Sequence, residues 1–180
     1  RAGWSNLSAL LESLGTASRA IYLPSSATEF GTVMALVPLV RPEPPDIKLP
    51  RGFAIRYGRE GETGLLLYTP GSMAVSRCLG VGAIGSDAAA SLTNCLINHL
   101  TIARRVTVMS GSDGITVVVN GSRINELYSN ELVKAVLGSP TASLVAAVVA
   151  ESLNSPIIIE SEEVRGGDVV VRLRVVGRGA

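Results

Sequence analysis

The last forty residues constrain the fold more than any other part of the chain. Residues 144–150 are an unbroken apolar run that predicts a helix, and strand-like runs follow at residues 156–159 and 169–176. An acidic stretch and a Gly-Gly-Asp turn at residues 166–168 separate the two strands. Because an isolated hairpin cannot bury its apolar face, it needs a helix to cover it. The segment therefore predicts a helix packed on an antiparallel hairpin, and it carries no catalytic set of residues.

The same order of helix, strand and strand is predicted twice earlier in the chain, over residues 4–37 and 86–119. Leucines at helical spacing begin the first unit, and Ser86 is the expected N-cap of the second. Further strands are predicted at residues 53–57 and 65–68, and further helices at 73–79 and 126–137. The expected fold class is α+β, with antiparallel strands and hairpins covered by helices.

Proline residues interrupt the chain between residues 38 and 50. Proline removes a backbone donor and disfavours helix immediately before it, so such a stretch is typical of a boundary between structural units. We therefore expect an amino-terminal part at residues 1–40, a proline-rich linker at 41–51 and a larger domain at 52–180.

The amino-acid composition limits the kinds of binding partner that are expected for this chain. Hydrophobic residues make up 47% of the chain and charged residues only 17%, with a formal net charge of +1. The net charge is much smaller than the positive charge that is typical of a nucleic-acid-binding protein. The composition predicts either self-association, with a homodimer as the expected state, or an apolar cavity. The longest apolar run is far shorter than the ~18 residues of a membrane span, so no span is expected.

The two cysteines, Cys78 and Cys95, are too few for a disulfide scaffold. We therefore expect reduced thiols and a cytoplasmic protein. Cys95 and His99 lie four residues apart on one predicted helix face, a spacing that allows a shared ligand. Two ligands do not make a metal site, and neither a second histidine nor a C-x-x-C motif supports them. No metal and no cofactor are predicted.

Candidate catalytic chemistry is sparse. His99 is the only histidine, and no G-x-S-x-G nucleophile motif occurs. The run from Gly80 to Gly85 spells G-x-G-x-x-G, which leaves a nucleotide-binding enzyme as an alternative, although no buried strand precedes it. Four carboxylates near the last turn are interpreted as a solvated charge cluster: Glu160, Glu162, Glu163 and Asp168. The residues favour a protein that is not an enzyme.

Both parts of the chain resemble known families. The apolar helix at residues 144–153, the strand at 156–159, Glu162-Glu163, Gly167-Asp168 and the strand at 169–175 resemble the end of the 4-vinyl reductase domain. That domain is related in fold to the small subunits of the TRAPP transport complex, and the similarity covers about residues 51–176. Residues 2–37 are similar to the helix–strand–strand part of an ACT domain.

The resemblance implies a dimeric regulatory or carrier protein that holds a small apolar molecule or a lipid, as in archaeal proteins described as hydrocarbon-binding. Members of the family with metal sites place cysteines in the terminal hairpin. Glu163-Val164 and Val171-Arg172 stand there instead, so the metal is not expected in this chain.

The leading hypothesis is therefore non-enzymatic binding of an apolar ligand between the helices predicted at residues 86–100 and 144–153. Seven residues on those helices are the expected ligand contacts: Leu92, Cys95, Leu96, His99, Val145, Val148 and Val149. Two alternatives stay open, namely an assembly subunit whose apolar surface is an interface, and the nucleotide-binding enzyme.

Overall fold

The computed structural model describes residues 2–16, 18–39, 52–57, 61–112 and 114–177. Its strands are β1 Ile21–Leu23, β2 Met34–Pro38, β3 Ala54–Tyr57, β4 Glu62–Leu67, β5 Arg105–Gly111, β6 Gly114–Asn120, β7 Ile157–Arg165 and β8 Asp168–Val175. Its α-helices are α1 Ala2–Ser13, α2 Pro70–Gly80, α3 Ala88–Leu92, α4 Glu131–Leu137 and α5 Pro140–Leu153, with a π-helix at Thr93–His99 and a 3-10 turn at Ser25–Ala27. The predicted α+β class is confirmed.

The strands form one eight-stranded sheet in the order β3-β4-β2-β1-β7-β8-β6-β5, with every neighbouring pair antiparallel. The hairpin β1–β2 lies in the middle of this sheet, and β1 pairs with β7. Residues 1–40 and 52–180, predicted as separate parts, therefore contribute to one continuous sheet. The predicted linker at 41–51 lies outside the described residues.

The main core lies between the sheet and helix α5. Every residue from Pro140 to Ala150 is buried. Helix α2 packs on α5 at Gly71, where an added Cβ would lie 2.6 Å from the Ser143 carbonyl oxygen and 2.7 Å from the Ala147 Cβ. The close approach of the two helices thus requires glycine at this position. A smaller cluster on the opposite sheet face includes Met34 and Leu66.

The helix predicted at residues 86–100 begins one residue later than expected and changes type. Asp87, not Ser86, is the N-cap, and its carboxylate accepts from the Ala90 amide at 2.7 Å. After Leu92 the backbone widens into the π-helix, as in the bond from the Leu100 amide to the Cys95 carbonyl. Because π-helical i→i+5 bonds lose the 3.6-residue repeat, the residues predicted to share one helical face do not all share it.

The helix predicted at residues 126–137 forms only over α4, from Glu131. Asn130 caps it, with its side-chain oxygen accepting from the Val133 amide at 3.0 Å. Asparagine hydrogen-bonds readily to the backbone two or three residues ahead, so it favours a helix start over a helix interior. Residues before this cap form a loop.

A β-bulge in β7 reverses the expected environment of Glu162. Ile159 is opposite Leu173 and Ser161 is opposite Arg172, so Glu160 is the extra residue of the strand. The shift turns Glu162 toward the helices, half-buried, where both its carboxylate oxygens accept from the Ser139 amide at 2.9 and 3.1 Å. The interpretation of Glu162 as a solvated charge is therefore wrong, because the bulge turns its side chain toward the helices.

Two tyrosines satisfy the carbonyl groups at the junction of α4 and α5. The Tyr22 hydroxyl donates to the Leu137 carbonyl at 2.7 Å, and the Tyr128 hydroxyl donates to the Gly138 carbonyl at 2.6 Å. Burial raises the pKa of both phenols above the ordinary value for tyrosine. Both side chains therefore stay neutral donors at physiological pH.

Cys78 and Cys95 form a disulfide between α2 and the π-helix, with their Cα atoms 5.5 Å apart. The prediction of reduced thiols is therefore wrong. The spacing of 17 residues gave no local sign of the pairing, which depends on α2 and the π-helix packing side by side. The cytoplasmic location rested in part on reduced cysteines and stays a prediction without that support.

Replacing both cysteines by alanine is expected to lower the free energy of unfolding by about 3 kcal/mol, because a closed loop of this length restricts the unfolded chain. Urea denaturation of the wild-type protein and of the double variant, each with and without reductant, measures the effect. Reductant should destabilise only the wild type. Two reactive thiols in the unreduced native protein would contradict the disulfide.

Replacing Glu162 by alanine is expected to cost about 2 kcal/mol of stability, because the buried Ser139 amide loses a charged acceptor. Its neighbour Glu163 is exposed and pairs with Arg165 at the surface, so Glu163→Ala is the matched control and should leave stability close to that of the wild type. Equal effects of the two substitutions in chemical denaturation would show that the bulge does not place Glu162 as described.

Candidate functional site

The seven residues predicted to contact a ligand do not lie on one surface. Six are at most 1% exposed and pack in the main core: Leu92, Cys95, Leu96, Val145, Val148 and Val149. His99 is exposed at the end of the π-helix, and the sulfur of Cys95 is committed to the disulfide. Cys95 and His99 therefore offer no shared thiol–imidazole site, and ligand contact by the seven residues stays a prediction.

An apolar groove lies beside these core residues, and we call it the α2 groove. Its volume is about 240 Å³, and it is lined by Pro70, Met73, Ala74, Arg77, Leu100, Ile102, Ile124, Leu127 and Leu144. Helix α2 supplies the first four of these at the i, i+3, i+4 and i+7 positions of one helical stripe. None of the seven predicted contacts lines the groove.

Two loops form the opposite wall of the α2 groove. Leu100 and Ile102 follow the π-helix, and the Ile102 amide donates to the Leu96 carbonyl at 3.0 Å. The Arg123 amide donates to the Ile102 carbonyl at 2.9 Å and joins this loop to the one that carries Ile124 and Leu127. These backbone bonds hold the two loops together as one wall.

The disulfide connects the two walls. Cys78 follows Arg77 on α2, and Cys95 lies on the π-helix that leads into Leu100. A covalent bond thus limits how far α2 can move from the opposite wall. The floor is Leu144 of α5, which is almost fully buried.

The groove is open to solvent and almost entirely apolar. Met73 is 49% exposed and Leu127 is 55% exposed, so two large apolar side chains face water at its mouth. Arg77 is its only charged lining residue. Among the described residues, no hydrogen bond or ion pair of the Arg77 guanidinium is observed. The groove can therefore bury an apolar group and attract an anion at one position.

The run from Gly80 to Gly85 lies in a different context from a nucleotide-binding loop. It begins at the end of helix α2 rather than after a strand, and three of its amides make hydrogen bonds within the protein. The Gly82 and Ala83 amides close the end of α2, while the Gly85 amide donates to the Ser91 hydroxyl at 3.0 Å. The strand–turn–helix arrangement that presents free amides to a pyrophosphate is missing from this part of the chain.

The other three carboxylates of the predicted cluster near the last turn make hydrogen bonds or ion pairs within the protein. Glu160 pairs with Arg174 at 2.7 Å and Glu163 pairs with Arg165 at 2.6 Å, all on the surface. Asp168 accepts from the Gly121 amide at 3.1 Å. Within the described residues, no group of three or more His, Cys, Asp and Glu side chains could hold a metal ion.

The continuous stretch Glu131–Leu153 is long and apolar enough to pass a length and composition test for a membrane span. It is nevertheless interrupted between α4 and α5, and 83% of its most apolar window is buried inside the fold. A buried core helix of a globular protein has the same properties, so this stretch is weak evidence for a span.

Sequence reasoning missed the residues that make the groove. The helical spacing of Pro70, Met73 and Arg77 can be read from the sequence. Whether this stripe is exposed, however, depends on which face of α2 packs on α5. Leu127 was assigned to a helix, whereas it lies in the loop before the Asn130 cap. Only the tertiary arrangement brings these residues together with Leu100.

Comparison with known proteins gives a family without an assigned activity. No curated protein and no solved structure matches the chain. The resemblances to 4-vinyl reductase and ACT domains stay predictions. A family model described as "Domain of unknown function (DUF7982)" matches residues 1–175, and the chain therefore belongs to this family.

Proposed function

We propose that this protein is a non-enzymatic binding protein that takes a small amphipathic acid into the α2 groove. The apolar body of the ligand contacts Met73, Leu127 and the loop at Leu100, and its acid group lies at Arg77. The observation that carries the proposal is the Arg77 guanidinium, which has no hydrogen bond or ion pair among the described residues and lies at a groove that is otherwise apolar. An apolar pocket with few polar groups is the usual form of a small-molecule site.

The size of the groove limits the ligand. Its volume of about 240 Å³ is below the range of about 300–1,000 Å³ that is typical of sites for drug-sized ligands. A medium-chain fatty acid has a suitable shape, and octanoate is a convenient probe. For so few non-hydrogen atoms in an open groove, we expect a dissociation constant on the order of 0.1–1 mM.

The charge at Arg77 gives the proposal a selective test. Octanoate is expected to bind at least about fivefold more tightly than octanol, since only the acid can pair with the guanidinium. Arg77→Gln should remove this difference while leaving octanol binding unchanged. Titration followed by heteronuclear NMR, with the Met73 methyl signal as the local reporter, measures both ligands on both proteins.

The apolar part of the contact is tested separately. Leu127→Ser should weaken both octanoate and octanol by about fivefold or more, because it removes apolar area from the groove. Leu10 of α1 is 43% exposed and does not line the groove, so Leu10→Ser is the matched control and should leave binding unchanged. Shifts spread evenly over the surface, or equal effects of the two variants, would contradict a site in the α2 groove.

A further inference from the structure

We propose that a second copy of this chain pairs with strand β5 in antiparallel orientation, with a two-fold axis at Val108. The two sheets then continue into one another across the dimer. This interface is independent of the α2 groove and of any ligand there.

Strand β5 is an edge strand of the sheet. Among the described residues it pairs with β6 alone, in an unbroken register from Arg105 opposite Asn120 to Gly111 opposite Gly114. Natural proteins blunt exposed edges with short strands, bulges, proline or lysine. β5 has seven residues, no bulge, no proline and no lysine. Its outer backbone groups are therefore available to another strand.

The side chains of β5 suit pairing with their own copies. Val106 and Val108 are half-buried on the helix side of the sheet, while Thr107 and Met109 are exposed on the open side. With the axis at Val108, the two copies of Val108 face each other, and Met109 of each copy faces Thr107 of the other. The pairing covers Met109, which is 52% exposed in the single chain.

Charge selects the antiparallel orientation. Arg105 is the only charged residue of β5. In the antiparallel pairing Arg105 of each copy lies opposite Gly111 of the other, so no like charges meet. A parallel pairing in register would place Arg105 against Arg105, which is unfavourable. The two-fold arrangement also uses the same strand of both copies, so it closes at a dimer.

Multi-angle light scattering after size exclusion should give twice the chain mass of 18.7 kDa for the wild-type protein at micromolar concentrations. In the T107K/M109K double variant, each copy presents a lysine opposite a lysine at two places. The dissociation constant should rise by about tenfold or more. Within the chain the residues directly opposite these positions are Val118 and Thr116, and neither carries a charge.

The T107E/M109K double variant is the matched control. It also carries two charged residues at the same exposed positions, but the antiparallel register now places each glutamate opposite a lysine. Dimerisation should recover to within a few-fold of wild type. A parallel pairing would instead place glutamate against glutamate and lysine against lysine, and it would not recover.

Three results from the dimerisation measurements would overturn the proposal, and a fourth comes from the size of the assembly. They are a wild-type protein that is monomeric up to millimolar concentration, a lysine variant that dimerises as tightly as wild type, and a glutamate–lysine variant that stays as weak as the lysine variant. Polymers larger than a dimer would also overturn it, because they require a different strand or surface. Circular dichroism verifies that both variants keep the wild-type fold.

Discussion

The burial of α5 against the inner face of the sheet is the constraint on which the rest of the structure depends. A helix that is buried on almost every side supplies much of the core, but the amides of its first turn then lie out of water and need partners within the protein. Ser139 caps the first turn, and Glu162 accepts from the Ser139 amide itself. Tyr22 and Tyr128 satisfy the carbonyls that precede the helix. These polar side chains give the buried backbone groups at this end of the helix the hydrogen-bond partners that water would otherwise supply.

The sequence predicted the elements of the fold well and their arrangement poorly. Hydrophobic spacing was enough for the terminal helix, for each strand of the β5–β6 hairpin and for the pairing of β7 with β8, because these depend on contacts close in the chain. The bulge at Glu160 was not predictable in the same way. A strand with an extra residue has the same composition as one without, and the bulge is stabilised by the contact that Glu162 makes with a distant helix. The pairing of β1 with β7 is equally non-local.

For the candidate site, too, local patterns were predictable from the sequence and the three-dimensional arrangement was not. Residues chosen for their apolar helical faces, such as Leu96 and Val148, proved to be core residues because the most apolar face of a helix is usually the one that packs. The groove is formed by a stripe of α2 together with loop residues such as Leu127, and the loop positions follow no helical or strand spacing. Cys78 and Cys95 could not be paired from sequence either, because a separation of 17 residues does not determine which elements carry the two cysteines or whether those elements pack together. In the fold, that bond joins the two walls of the groove.

The proposed ligand site and the proposed dimer interface involve different residues, and this separates the effects of substitutions in each. The α2 groove lies on the helix side, where Val106 and Val108 also point, whereas Thr107 and Met109 lie on the open side. Substitutions at Thr107 and Met109 therefore leave the groove wall intact, and substitutions at Arg77 or Leu127 leave the β5 edge intact. The loop at Ile102 connects the two regions and is held by backbone bonds to Leu96 and Arg123. Because residues of a single chain form both walls of the α2 groove, the proposed ligand binding does not require the proposed dimer.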